Sequence, residues 1–363
     1  MRTLLFTLEY PPQIGGVASY YGNFASHWPL GEDFLVLDNN RGELIKPRHF
    51  LAWWPAVLAL KRKLEKSRID YTLVGQILPL GTAAWLVSWL KPVRYGVFLH
   101  GLDFSAALKT TRKKFMTGLI LRRADRIIAA NSYVAEQAEN LYPHLAGKIT
   151  IVNPGVFGGT PNILEADKEN LRVKYGLSGK TILFSLGRLV KRKGVDRVIQ
   201  AISRITPEEL ENIVYVIAGG GPQAEYLRRL VPTRLRDKII FLGVVTETEK
   251  WLWLTICDIF IMPSRDIAGD FEGFGIVYLE ANLCGKPVIA GNSGGVRDAV
   301  IDGVTGLTAD SENVDDIKEK ILTLISNPDK RQALGQAGRE RAIAQFSWEK
   351  QTAKIAKAIK LAR

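Results

Sequence analysis

The sequence predicts an α/β protein of two similar domains, each a parallel sheet covered by helices on both faces. Three observations carry this expectation. Short apolar runs alternate with helical stretches through both halves of the chain. Those runs are apolar on both faces, as strands buried in a parallel sheet are. A segment rich in Gly, Pro and Asn, residues 153–168, separates the halves. The length of 363 residues suits two domains, and 47% hydrophobic with 24% charged residues excludes a disordered chain.

Taken in order, the strands expected in the first half are Thr3–Thr7, Phe34–Leu37, Tyr71–Val74, Tyr95–Leu99, Arg126–Ala130 and Ile149–Val152. In the second half they begin at Thr181, Ile213, Lys238, Asp258, Pro287 and Gly306. No short-period repeat is present, so the chain is not a solenoid. Residues 72–90 carry no charge over 19 positions, long enough to cross a bilayer. Gly75-Gln76 and Pro79-Leu80-Gly81 instead divide this stretch into a strand, a turn and a helix. Trp53, Trp54 and the aromatics between Trp85 and Trp89 read as core. Cys257 and Cys284 sit in apolar surroundings and read as small core residues.

The most informative segment is Phe271–Gly295. Gly273 and Gly275 imply a tight loop, and the run beginning Ile276-Val277 opens a helix whose free N–H groups point back at that loop, where an anion is stabilised. Glu272, in the loop beside Phe274, can reach a sugar hydroxyl. Glu280, about two turns into the helix, can reach a ribose. A second constellation complements it: strand Thr181–Leu186 runs into Gly187-Arg188 and on to Lys193-Gly194. Arg188 offers a bidentate fork and Lys193 a point charge for phosphate oxygens, while Lys191 and Arg192 read as solvated. Together these features suit a nucleotide-sugar.

The pair Glu272 and Glu280 with the intervening GFGIVYL, the turn SLGRLVKRKG, the turn Gly219–Pro222 and the loop PPQIGG at 11–16 together resemble glycosyltransferase family 4. The likeness runs over nearly the whole chain, and the carboxy-terminal half is most similar to the phosphatidylinositol mannosyltransferases. This resemblance implies the GT-B fold, two Rossmann-like domains facing each other across a cleft. It implies an acceptor domain at 1–160, a donor domain at 161–346, and a last helix, 347–363, returning to the first. It also implies a retaining hexosyl transfer, with mannose from GDP-mannose the favoured donor. UDP-glucose or UDP-N-acetylglucosamine, and a non-transferring sugar-nucleotide epimerase of the same fold, remain open.

Within that resemblance His100, in the element His100-Gly101-Leu102-Asp103, contacts the transferred sugar, Asp103 orients its loop, and Asn153-Pro154-Gly155 forms a hinge turn. Gly15 and Gly16, after a strand and a Pro-Pro kink, can bring their amides to the diphosphate. Arg188 and Lys193 stabilise charge on the leaving diphosphate, with no cofactor. No D-x-D motif or His/Cys cluster suggests a metal.

The net charge of +12 and pI near 9.6 would suit nucleic acid, but no zinc-finger spacing, RNP-type motif or helix-turn-helix accompanies them. Residues 1–160 hold 19 basic against 11 acidic residues. Arg112, Lys113, Lys114, Arg122 and Arg123 interleave with Phe115, Met116 and Leu119–Leu121, a pattern that suits either a solvated helix face or contact with an anionic membrane. The acceptor is expected to be lipid-linked or an oligosaccharide. The first residues are too short an apolar run for a signal peptide, so cytoplasmic residence, at the inner face of the membrane, is expected.

Overall fold

A computed structural model describes residues 1–13, 15–46 and 51–361. Two compact units are formed: Met1–Gly155 with Trp348–Arg363, and Val156–Ser347. The chain therefore changes units five residues before the boundary read from sequence.

The first unit holds β1 (Thr3–Phe6), α1 (Gly16–Ser26), β2 (Phe34–Leu37), α2 (Trp54–Lys66), β3 (Tyr71–Val74), α3 (Leu80–Leu90), β4 (Tyr95–Leu99), α4 (Leu102–Ala107), α5 (Thr111–Arg123), β5 (Arg126–Ala129), α6 (Ser132–Leu141) and β6 (Ile149–Ile151). All six strands are parallel, in the order β2-β1-β3-β4-β5-β6. β1, β3 and β4 are buried at every position, which is why they read as unbroken apolar runs. Thr110 and Asn131 accept backbone N–H bonds at the starts of α5 and α6 and fix where those helices begin.

The second unit holds α7 (Glu165–Lys174), β7 (Thr181–Leu186), α8 (Val195–Ile202), β8 (Ile213–Ala218), α9 (Ala224–Leu230), β9 (Ile239–Gly243), α10 (Glu247–Ile256), β10 (Ile259–Met262), α11 (Ile276–Leu283), β11 (Val288–Gly291), α12 (Val296–Ala299), β12 (Gly306–Ala309), α13 (Val314–Ser326) and α14 (Pro328–Gln345). Its parallel sheet runs β12-β11-β10-β7-β8-β9. Two apolar clusters cover this sheet: one includes Phe184, Trp253 and Tyr278, the other Ile199, Ile261 and Ile317. The last helix, α15 (Trp348–Leu361), belongs to the first unit, where Trp348, Ile355 and Ile359 join the cluster of Tyr20, Tyr21, Phe24 and Phe98.

In each sheet the chain reverses its direction of winding once. The reversal lies between β1 and β3 in the first sheet and between β7 and β10 in the second. Open α/β sheets present ligands with a crevice at such points, beyond the carboxyl ends of the strands.

The tryptophans expected in the core are not there. Trp54 is 45% and Trp89 65% exposed, and Trp53 and Trp85 are only half-buried. The buried stripe of α3 is taken by Leu80, Gly81, Ala83, Ala84, Val87 and Ser88, mostly small residues that let its neighbours lie close and leave the indoles outward. Trp89 lies under the Arg123 guanidinium at 4.0 Å. Residues 72–90 form β3, a turn and α3, and among the described residues no helix is long and apolar enough to cross a membrane.

Candidate active site

The two loops at the reversal of the second sheet carry the acid and base singled out in the sequence. Gly187–Gly194 follows β7, and Pro263–Gly275 follows β10. They meet closely: Gly194 adopts φ +74°, and a Cβ there would lie 2.1 Å from the Pro263 carbonyl oxygen. Only glycine serves at this position.

This approach brings Glu272 onto Lys193. A carboxylate oxygen of Glu272 lies 2.7 Å from Lys193 Nζ and 2.6 Å from Arg192 Nη1. Arg192 also reaches Asp270, at 3.1 Å through Nε. Burial pushes the Glu272 carboxyl upward, but Lys193 and Arg192 outweigh it and hold the group below the usual carboxylate range. Arg192 is therefore not the solvated cation the sequence suggested. Its backbone turn, a 3-10 helix at Lys191–Lys193, aims the guanidinium at the loop after β10.

Arg188 is exposed, and its side chain makes no hydrogen bond or ion pair among the described residues. Gly273 and Val277 are half-buried and Ile276 is exposed, so this part of the loop and first helical turn is open. Phe274 differs: its side chain packs in the core, 5.8 Å from the Phe346 ring, leaving its backbone as the part able to meet a ligand.

Glu280 stands apart from Glu272 and has its own cation, Lys250 of α10, at 2.7 Å. The Lys250 ammonium also pairs with Glu247 and lies 4.7 Å from the Trp251 ring centre. Burial raises the Glu280 carboxyl against the opposing pull of Lys250. Lys250 itself is pulled down by burial and more than restored by Glu280 and Glu247. Nothing in the run around Lys250 marks it by spacing; it is placed by α10, whose Thr246–Glu249 capping box fixes the helix start.

In the first unit, His100 closes β4 beside the reversal of that sheet. Its ring stacks on Phe98 at 5.7 Å, meets Tyr20 and Tyr21 edge-on, and shares a 2.7 Å hydrogen bond with Tyr21 Oη. Burial lowers the imidazole to about 4. Asp103 accepts the backbone N–H groups of His100 at 2.9 Å and Phe104 at 2.8 Å, and burial raises its carboxyl to about 6. Gly15 and Gly16 lie before and at the start of α1, half-buried and exposed respectively. Among the described residues no group of three or more His, Cys, Asp or Glu could hold a metal ion.

Comparison with known proteins agrees with this layout. The family model described as Glycosyltransferase Family 4 matches residues 15–156, and Glycosyl transferases group 1 matches residues 167–341. A GDP-mannose-dependent alpha-(1-6)-phosphatidylinositol monomannoside mannosyltransferase of Mycobacterium tuberculosis is 30% identical, over 98% of this chain and 97% of its own. The chain belongs to glycosyltransferase family 4. A second family 4 relative, the GDP-mannose-dependent monoacylated alpha-(1-6)-phosphatidylinositol monomannoside mannosyltransferase of Corynebacterium glutamicum, is 30% identical over 96% of this chain and 95% of its own. Among solved structures, a glycosyltransferase from Rickettsia africae superposes with TM-score 0.82 at 18% identity, covering 99% of this chain and 98% of that one. Anabaena HepE in complex with UDP gives 0.79 at 18% identity, covering 99% and 100%. The fold is GT-B, and the protein is a glycosyltransferase.

Proposed function

We propose that the protein transfers mannose from GDP-mannose, with retention of configuration, to a lipid-linked or glycan acceptor. The observation that carries this reading is the Lys193–Glu272 pair at the reversal of the second sheet, with Arg188 exposed on the same loop as Lys193 and unpaired among the described residues. A cation pair for the diphosphate and a carboxylate for the sugar are what a nucleotide-sugar requires. Mannose and a guanine nucleotide are favoured because both mannosyltransferase relatives are named GDP-mannose-dependent.

In this reading the diphosphate leaves and the acceptor attacks on one face of the sugar. The anomeric bond to the diphosphate oxygen breaks, the acceptor oxygen bonds to the anomeric carbon, and the acceptor proton passes to the departing oxygen. Arg188 and Lys193 stabilise the charge growing on that oxygen, helped by amides of Gly273, Gly275 and the first turn of α11 at Ile276 and Val277, and of Gly15 and Gly16, whereas the Gly187 amide is taken by the Ala218 carbonyl oxygen at 3.0 Å and serves the turn. These cations supply the charge that a divalent metal supplies in other sugar transferases. Glu272 holds sugar hydroxyls, Glu280 holds the ribose, and His100 orients the sugar.

The first unit takes the acceptor and meets an anionic membrane at the inner leaflet. Exposure of Arg112, Lys113, Lys114 and Phe115 on α5 supports this, with Phe115 66% exposed. The test is incorporation of label from tritiated GDP-mannose into extracted lipid in the presence of phosphatidylinositol mannosides. Label in lipid that disappears with Glu272→Ala supports the reading; turnover near wild type in that variant overturns the site.

A further inference from the structure

The hydrogen bonds around His100 fix more than its position. Tyr21 Oη lies 2.6 Å from the Gly75 carbonyl oxygen and 2.7 Å from His100 Nε2. A phenol has one proton, and a carbonyl oxygen can only accept. The Tyr21 proton therefore goes to Gly75, and the bond to His100 must run the other way, from Nε2–H to the phenol oxygen. The Tyr21 side chain is fully buried, and burial raises its phenol well above the ordinary range, so it keeps that proton. The close approach behind this geometry depends on Gly75, where a Cβ would lie 3.1 Å from the Tyr21 ring and 2.8 Å from Thr7 Oγ1.

Rotation of the imidazole is blocked as well. Phe98 stacks against one face at an interplanar angle of 3°, while Tyr20 and Tyr21 close on it edge-to-face with ring centres at 5.0 and 5.3 Å. No other hydrogen bond to the ring is formed among the described residues.

We infer that Tyr21 is a positioning residue that holds His100 as the Nε2–H tautomer, leaving Nδ1 as a bare acceptor for a hydroxyl group of the substrate. The half of this statement that concerns substrate rests on the reading that His100 faces the transferred sugar. The lowered basicity of the ring agrees with a single ring proton at neutral pH. His100 then reads a hydroxyl by accepting its proton in a hydrogen bond and does not itself deliver a proton from Nδ1. Its partner in the sugar must be a hydroxyl or amide N–H; an ether or carbonyl oxygen in that place would be rejected.

The test is nitrogen NMR of the whole protein labelled at histidine, with the His100 signals assigned by their loss in His100→Gln. The expected spectrum at neutral pH shows a protonated Nε2 and an unprotonated Nδ1, with the two forms mixed in Tyr21→Phe. In transfer assays Tyr21→Phe should lower kcat about ten-fold with little change in KM for the nucleotide-sugar. His100→Asn, which can place an amide oxygen near the Nδ1 position, should retain more turnover than His100→Gln. A bare Nε2 in the wild type overturns the inference, as does an unchanged tautomer and rate in Tyr21→Phe. Because the spectrum is recorded without substrate, the expected tautomer in a protein that transfers no sugar would count against the transferase reading and leave the role of Tyr21 intact.

Discussion

Glu272 lies 2.7 Å from Lys193, so the carboxylate proposed for the sugar and the cation proposed for the phosphate form one ion pair. Both side chains are about nine-tenths buried, at 9% and 12% exposure. A nucleotide-sugar would replace this contact with two: phosphate oxygens on Lys193 and sugar hydroxyls on Glu272. Arg192, 2.6 Å from the same carboxylate, would keep Glu272 paired while Lys193 turns to phosphate.

Glu272→Ala is expected to abolish transfer, by at least about a hundred-fold in kcat, as loss of a transition-state contact does. The residue sits in a loop, so the far-ultraviolet circular dichroism should be unchanged. Lys193→Ala should lose turnover similarly. Steady-state kinetics with purified variants checks both.

Glu280→Gln should act on binding. Losing a charged hydrogen bond costs about 1.5–3 kcal/mol, or roughly 10- to 100-fold in KM, with kcat little altered. A large fall in kcat at saturating nucleotide-sugar would place Glu280 at the reacting centre instead of the ribose.

Gly194→Ala tests the close meeting of the two loops. With φ at +74° and backbone 2.1 Å from the new Cβ, the loops must separate. A stability loss of roughly 3 kcal/mol or more is expected, read from the urea midpoint.

His100 and Asp103 impose opposite pH slopes on stability. The imidazole falls from 6.5 to about 4 on folding, so the unfolded chain binds more protons between those values and acidification across them destabilises the fold. The Asp103 carboxyl rises from 3.8 to about 6, so the folded protein binds more protons there and loses stability as pH rises through that window. Relative to wild type, His100→Asn should therefore gain stability as pH falls from 6.5 to 4. Asp103→Asn should gain as pH rises from 4 to 6. Each effect is on the order of 2 kcal/mol, and urea titrations at stepped pH separate them.

Charge reversal on α5, Lys113→Glu with Lys114→Glu, should release the protein from vesicles containing phosphatidylglycerol while leaving thermal stability unchanged, since both residues are exposed. Each basic residue near an anionic surface contributes about 1 kcal/mol. Equal sedimentation of wild type and variant with these vesicles would remove α5 from the membrane reading.

Much of the fold could be read from the residues because parallel strands buried on both faces are continuous apolar runs. All twelve strands begin within one residue of their expected positions. The loops were legible for a similar reason, since glycines next to charged residues mark backbone that must approach something closely. Partnerships were less visible. Arg192 resembles its solvated neighbour Lys191, and only the fold shows that the loop after β10 carries Asp270 and Glu272 to it. Lys250 and Tyr21 lie on helices at positions with no local signal, and their contacts span 30 and 79 residues. The exposed tryptophans were misread because hydrophobic content alone does not say which stripe of a helix faces the sheet; the small residues of α3 decide it.

Thermal stabilisation by a panel of nucleotides and nucleotide-sugars in chelator-treated buffer reads whether the second unit holds a nucleotide-sugar through Lys193 and Glu272. A ligand that binds only the native state must raise the melting temperature, by about 2.7 kcal/mol of stabilisation at a hundred times its Kd. A clear rise is expected with GDP-mannose, smaller with GDP, and absent in Lys193→Ala. No rise with any guanine or uridine nucleotide would contradict it.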